Sequence, residues 1–414
     1  MAQKFIENGY DVVETEEMAD VYIINTCTVT NMADRKSRQM LRRVKQINPN
    51  SIVVATGCYA QVAKDELQKI ENIDLVLGIN EKNDIVDYVN KFLSNKTKEM
   101  EISDVLHQVE FLDFGTVTHT EKTRMVIKIQ DGCDRFCSYC LIPYARGHIR
   151  SRKIENVIEE IKKVVEEGIN EVVITGIHIA SYGRDFKGGN IGLIDLLEEI
   201  NKIKGLHRIR LGSIEPTIIT EEFVKRLSKL DKICDHFHLS LQSGCTETLK
   251  RMNRRYTTQQ FRNIVECLRK YYEDVILTTD IIVGFPGETE EDFEDTLDVV
   301  SKVHFEQVYM FIYSRRVGTP ADKMENQVPD EVKHERFDRL KKLAESQIAG
   351  NNQKYVNTIQ KVLVEGKSKT NENMLTGRTE TNKVVNFEGT DDMIGKIVNL
   401  KIVSEHMWYL KGEV

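Results

Sequence analysis

The chain has 414 residues, 40% of them hydrophobic, and a formal net charge of −7, enough length for about two to four domains with cores of their own. No apolar run approaches the roughly 18 to 20 residues of a bilayer span, and the opening "MAQKFIENGY" has no basic stretch leading into an apolar one, so a cytoplasmic protein with reduced cysteines is expected. Eight cysteines in such a setting point to metal or catalysis rather than disulfides, and the acidic balance leaves any nucleic-acid contact to local basic patches.

In chain order, residues 1 to 95 alternate short apolar runs with amphipathic ones: "ADVYIINTC", "ADRKSRQMLRRVKQIN", "SIVVATGC", a polar helix, "IDLVLGI" and "KNDIVDYVNKFL". This βαβαβα series predicts an open parallel α/β domain with right-handed crossovers. Cys27 and Cys58 each follow a predicted strand, at the carboxyl edge where such sheets collect ligands, so the two thiols are candidates for one shared site. A lone cysteine is more often a buried structural residue, but the loop settings "NTCTVTN" and "TGCYAQ" weigh against that reading here.

A charged linker around "SNKTKEMEISDVLHQ" leads into a second domain, residues 119 to 350. Its candidate strands are "RMVIKIQ", "EVVITG", "HRIRLGS", "HFHLSL", "VILTTDIIVG" and "QVYMFIYS", separated by helical stretches such as "IENVIEEIKKVVEEG". Six such units predict a partial (β/α)6 barrel, two units short of the closed form, with chemistry at the carboxyl ends of the strands. A long helix over 331 to 356 then precedes residues 355 to 414, whose alternating strands predict a small antiparallel β-barrel. Residues 357 to 414 hold eight Lys and Arg against eight Asp and Glu, so composition assigns this barrel no RNA-binding role.

Directly after the first barrel strand comes "DGCDRFCSYC", which places Cys133, Cys137 and Cys140 in one loop. Thiolates favour iron–sulfur clusters and zinc, and four ligands normally close such a site. Three ligands leave one position open for a small molecule. A zinc knuckle completed from elsewhere is the competing reading, but zinc pairs usually come as C-x2-4-C with a second pair downstream. The C-x3-C-x2-C spacing resembles that of the radical S-adenosylmethionine enzymes. The resemblance implies a [4Fe-4S] cluster whose open iron binds S-adenosylmethionine and, on reduction, yields a 5′-deoxyadenosyl radical, chemistry that belongs to the cofactor.

Taken together, "NTCTVTN", "TGCYAQ", "DGCDRFCSYCLIPYARG", "TGIHIASYG", "LSLQSGC", "VGFPGE" and "YSRRVGTPA" resemble, in order, the motifs of the methylthiotransferases, with "IPYARG" and "GIHIASYG" closest to the branch acting on threonylcarbamoyladenosine in tRNA. The resemblance implies S-adenosylmethionine contacts from Tyr139, Thr175, Gly176, Gln242, Ser243 and Gly284 at successive strand ends. It also implies a second, auxiliary [4Fe-4S] cluster on Cys27 and Cys58, an RNA-gripping TRAM-like final barrel, a tRNA anticodon stem-loop as partner, an electron donor and a sulfur source. The family's auxiliary cluster takes three cysteines. With "MAQKFIENGY" reading as a helix already under way, the third ligand and a first strand are expected about 10 to 25 residues upstream of Met1. An isopentenyladenosine methylthiotransferase, a non-catalytic iron–sulfur RNA chaperone and a radical methyltransferase that needs no sulfur remain alternatives.

Three basic clusters suit an RNA substrate: Arg35, Lys36, Arg38, Arg42, Arg43 and Lys45; Arg146, His148, Arg150, Arg152 and Lys153; and Lys250, Arg251, Arg254 and Arg255. A solvated face explains most charge runs; bordering one proposed mouth, the middle cluster is the best candidate for phosphate contact, through Arg146, Arg150 and Arg152. Cys234, Cys245 and Cys267 carry no motif and are expected in core or partly buried positions.

Overall fold

The computed structural model describes the chain apart from residues 15, 16, 109, 114, 116–122, 190 and 370 and the side chain of residue 349. The expected start of the second domain, residue 119, lies outside the described residues. Two compact units form. The first combines Met1–Gly115 with two segments that return to it, Asp131–Arg150 and Ser314–Lys323, and the second takes the remainder.

In the first unit, strands β1 (Val21–Thr26), β2 (Ile52–Gly57), β3 (Leu75–Leu77) and β4 (Glu99–Glu101) make a parallel sheet in that order. Every residue of β2 is buried, as expected of an inner strand covered on both faces. Val54, Leu75 and Leu77 pack against Phe5, Val89 and Phe92 of the helices Ala2–Glu7 and Ile85–Asn95. Val53, Ala55 and Val76 face the other way, onto Leu41 and Val44 of the helix Asn31–Ile47. That helix starts where the Thr30 side chain accepts the Ala33 N–H. Strand β4 falls within the expected linker. Its sequence, Glu-Met-Glu, is too short and too polar to announce a strand, and its pairing with β3 defines it.

In the second unit, β5 (Arg124–Asp131), β6 (Arg150–Ser151), β7 (Glu171–Gly176) and β8 (Arg208–Leu211) form a sheet in the order β6-β5-β7-β8. Strands β9 (His236–Gln242), β10 (Ile276–Val283) and β11 (Gln307–Ile312) form another in the order β11-β10-β9. Parallel bridges Ile209–Ile233 and Ile214–Leu239 join the two sheets, which gives the expected six-stranded partial barrel. Side chains alternate along each strand. Phe237, Leu239 and Leu241 enter the core beneath the helices, as do Ile209 and Leu211, so His236, His238 and Ser240 on β9 and Arg208 and Arg210 on β8 face the barrel interior.

The helix Asp330–Asn352 leads to a closed five-stranded barrel of β12 (Ile359–Lys367), β13 (Leu375–Thr379), β14 (Val384–Phe387), β15 (Ile397–Glu405) and β16 (Leu410–Glu413). Strand β13, "LTGRT", went unread because its glycine and two threonines break the apolar pattern. The small barrel rests on the amino ends of the larger barrel's strands. Arg208 donates to the backbone oxygens of Lys361 and Arg378, and Arg210 to those of Thr379 and Glu380. Beneath both arginines lies Glu171, 2.8 Å from Arg210 Nε. Among the described residues, no helix is long and apolar enough to cross a membrane.

Candidate active site

The register of the first sheet pairs Thr26 with Gly57, so Cys27 and Cys58 are the next residues on neighbouring strands at one edge. Gly57 makes this approach possible. Its φ of +104° suits glycine, and a Cβ there would stand 2.3 Å from the Thr26 oxygen. The Thr26 hydroxyl accepts from the Ala60 N–H and donates to the Thr56 oxygen, tying the two cysteine-bearing turns together. Cys27 is exposed and its N–H donates to Ser37 Oγ, whereas Cys58 is buried.

The triplet loop belongs to the same unit. Gly132 opens it at a φ of +72° with its Cα against His148, where a Cβ would meet the His148 oxygen at 1.8 Å. Cys133 N–H donates to the Gly147 oxygen at 3.0 Å, and Cys140 N–H to the Cys137 oxygen at 3.0 Å. The loop therefore closes on itself and presents Cys133 and Cys140 half-buried and Cys137 buried. Burial pushes the free Cys133 thiol up to about 11; metal binding would displace that proton. Among the described residues, no three or more His, Cys, Asp or Glu side chains are gathered as ligands of a metal ion. A cubane asks for a different arrangement, one thiolate on each of three irons, and the donor chemistry of this loop fits that group. Tyr139 lies half-buried between two of the cysteines.

The other expected contacts sit in the second unit, several of them with structural work of their own. Thr175 and Gly176 end β7, half-buried. Gln242 ends β9 with a φ of +70°, a strained conformation for a side chain of its size. Ser243 is buried, and its Oγ accepts from the Cys245 N–H. Gly284 N–H donates to Glu288 Oε1, which also binds Arg336, so this turn is locked to the long helix. Cys234 and Cys245 are buried and Cys267 half-buried.

The phosphate-contact assignment needs correction. Arg150 is only 1% exposed and Arg152 6%. Arg152 is ion-paired with the buried Glu160, while Arg150 donates to the Arg146 oxygen at 2.8 Å. Arg146 is half-buried, with its Nε–H on Cys58 Sγ at 3.1 Å and its Nη1 on Asp131 Oδ2 at 3.3 Å. Glu160 compensates Arg152, Asp131 is shared between Arg146 and Arg150, and Arg150 and Arg152 are almost wholly buried. Changing Arg152 to alanine is accordingly expected to destabilise the protein by about 3 to 5 kcal/mol, since Glu160 is left buried and uncompensated. It should leave the salt dependence of binding to the expected RNA partner in place; thermal unfolding and binding titrations at several salt concentrations measure the two effects.

Several polar and aromatic residues at the strand ends and in the barrel interior were not singled out from sequence. Gln130, near the end of β5, accepts the His178 N–H at 2.7 Å, and His178 Nε2 lies 3.5 Å from Glu215 Oε2, so groups at the ends of the sheet neighbours β5, β7 and β8 meet. Inside the barrel, His238 Nε2 lies 3.0 Å from Asp280 Oδ2. Tyr309 and Phe311 on β11 alternate with Val308, which packs in the core, and stay 40% and 41% exposed. The available signal was position: each immediately follows or lies within a predicted strand.

A six-stranded partial barrel whose first strand runs into a three-cysteine loop is the pattern of the radical S-adenosylmethionine class. The superfamily model of that class matches residues 127–300, the model of the uncharacterized protein family UPF0004 residues 1–78, and the TRAM domain model residues 353–414. The radical S-adenosylmethionine methyltransferase TsrM from Kitasatospora setae shares the fold at a TM-score of 0.57 and 17% identity, over 73% of this chain and 64% of that one. The chain belongs to the radical S-adenosylmethionine tRNA methylthiotransferase family. It is 40% identical over 414 residues to the threonylcarbamoyladenosine tRNA methylthiotransferase MtaB of Bacillus subtilis, covering 99% of this chain and 91% of the relative. Identity is again 40%, over 413 residues, to the tRNA-2-methylthio-N(6)-dimethylallyladenosine synthase of Clostridium botulinum strain Loch Maree, covering 98% and 91%. Membership implies a [4Fe-4S] cluster and S-adenosylmethionine.

Proposed function

We propose that this enzyme adds a methylthio group to C2 of threonylcarbamoyladenosine next to the tRNA anticodon, in the cytoplasm. The observation that carries the substrate choice is the pair of motifs "IPYARG" and "GIHIASYG", since relatives named for the two adenosine substrates are equally similar. Cys133, Cys137 and Cys140 would hold the radical cluster, and Cys27 and Cys58, adjacent across the β1–β2 register, would supply two of the three thiolates expected of an auxiliary one. When bound, the radical cluster with S-adenosylmethionine supplies one-electron chemistry and the auxiliary cluster a site for sulfur. The chain's own part is placement. Tyr309 and Phe311 offer exposed aromatic faces within the barrel, a surface on which a splayed-out base stacks without pairing. His238 and Asp280 stand on neighbouring strands of the same interior. The closed five-stranded barrel is the RNA-gripping element.

Mass spectrometry of tRNA nucleosides from cells lacking this protein tests the reading. The 2-methylthio derivative of threonylcarbamoyladenosine is expected to vanish and its unthiolated parent to accumulate. Loss of the methylthio group from isopentenyladenosine instead would assign the enzyme to the other branch.

A further inference from the structure

The small barrel and the amino ends of the strands beneath it leave between them a cavity of about 300 Å³ that the proposed reaction does not use. Its wall on the larger barrel includes His236 and Gln307, the first residues of β9 and β11, and its wall on the small barrel includes Thr381 and Asn382, in the turn after β13. Trp408, in the turn between β15 and β16, also lines it. We infer that this cavity binds an unpaired nucleobase of the RNA, stacked on Trp408, and that this base is a different one from the base that is modified. The inference rests on the reading of the small barrel as the RNA-gripping element.

Three observations carry it. Trp408 is the chain's one tryptophan, yet it is 58% exposed. The turn that bears it is braced, since the His406 ring stacks on Tyr409 at 4.4 Å and the Asn352 amide donates to the His406 and Met407 oxygens. A solvent-facing indole on a braced turn at the edge of a cavity is a platform for any base, because every base has a flat π-face. The second observation is charge. Lys383 is paired with Glu306, and Arg378 Nε lies 3.2 Å from Glu365 Oε1, so the cations lining the cavity are compensated and leave no site built for a phosphate. Neutral polar groups remain. His236 is 6% exposed, and its Nε2 meets Thr278 Oγ1 at 3.2 Å while its Nδ1 has no hydrogen-bond partner among the described residues. Burial, with Arg210 and His238 nearby, lowers this imidazole to about 3 and keeps it uncharged. A base edge carries the neutral donors and acceptors that such a wall can match; a phosphate does not. The third observation is distance: β9 has seven residues, so its amino end is roughly 20 Å from the carboxyl end where the chemistry is expected.

The full-length chain and an RNA hairpin with an unpaired loop test this, together with the same hairpin made abasic throughout its loop and adenosine monophosphate alone. Because Trp408 is the only tryptophan, indole fluorescence reports on this cavity, while anisotropy of a dye on the RNA reports binding as a whole. The hairpin should quench the fluorescence and its abasic form should not. Trp408→Ala should weaken hairpin binding about 5- to 100-fold, the cost of one lost stack, without altering the salt slope, since stacking releases no counterions. Trp408→Tyr should bind nearly as tightly as the unaltered protein, and the exposed position should leave the unfolding temperature of both variants unchanged. Hairpin binding that leaves the fluorescence unmoved and is not weakened by Trp408→Ala would overturn the inference. A hairpin that does not bind at all would overturn the RNA-gripping reading and this inference with it, and quenching by adenosine monophosphate in that case would assign the cavity to a free nucleotide.

Discussion

Changing Cys137 to alanine is expected to abolish S-adenosylmethionine cleavage, with 5′-deoxyadenosine formation by the reduced, reconstituted protein falling more than about 100-fold. Even outer-sphere changes cost a metal site 10- to 100-fold, and this change removes a thiolate outright. Cys137 is the buried member of the triplet, 8% exposed, and its carbonyl accepts the Cys140 N–H. No water-borne ligand easily takes the place of a thiol buried in this way, and the two remaining cysteines leave two irons without protein ligands. The loop's fold should persist, since the Gly132 and Gly147 contacts that close it do not involve the Cys137 side chain. Iron content, visible absorption and product formation should therefore drop while the unfolding temperature barely moves. Cys267→Ala, altering a half-buried thiol on the helix Thr258–Tyr271, should match the unaltered protein. Cleavage at the normal rate by Cys137→Ala would remove the triplet from the radical site.

The second large effect is expected at Glu171. This carboxylate lies under Arg210 at 2.8 Å and Arg208 at 3.5 Å, with Arg124 at 4.0 Å, and is almost wholly buried. Arg208 and Arg210 in turn donate to the carbonyls of β12, β13 and the turn after it, so one carboxylate compensates the charges on which the small barrel is seated. Glu171→Gln leaves buried guanidinium groups uncompensated, a loss of about 3 to 5 kcal/mol. The small barrel should become the first part to yield to protease. Burial alone would raise the Glu171 carboxyl, but Arg210, with Arg208 and Arg124, overrides it and holds the group below its ordinary range. The sign follows: the stabilisation is fully present above the unfolded glutamate value of about 4.3 and is lost as pH falls through the lower folded value. Denaturant titrations should show a constant gap between the unaltered protein and Glu171→Gln from neutral pH to about 5, narrowing only in stronger acid.

The six barrel strands were legible because each is a short run, nearly continuous in apolar residues as in "EVVITG" or alternating as in "HFHLSL", with amphipathic helical stretches between them. Strands β4 and β13 were not, since a three-residue edge strand and a glycine-bearing strand owe their existence to the partners they pair with. Cysteine spacing gave the triplet, and strand ends gave Cys27 with Cys58. The arginines were the failure. "ARGHIRSRK" looks like a solvated basic stretch, yet Glu160 and Asp131, which make Arg152 and Arg150 interior residues, are named by the fold and not by proximity in the sequence. The reverse holds for the segment 314–323, whose Arg316 donates to Thr28 and Asn31 and pairs with Asp34 at 3.1 Å, fastening the turn after Cys27 from nearly 300 residues away.

That fastening gives the protein a schedule. During synthesis Cys27 and Cys58 leave the ribosome long before the residues that brace them: Arg146 arrives first and Arg316 roughly 260 residues after Cys58. At 5 to 20 residues per second this interval is about 13 to 50 s. For that time the nascent first sheet carries two unbraced thiols, one of them exposed in the finished chain, open to oxidation or to the wrong metal. Under the proposed auxiliary-site assignment, delivery of iron and sulfide to this edge is best timed after release of the chain, and fragments ending before residue 316 should acquire that cluster poorly however well their sheet folds.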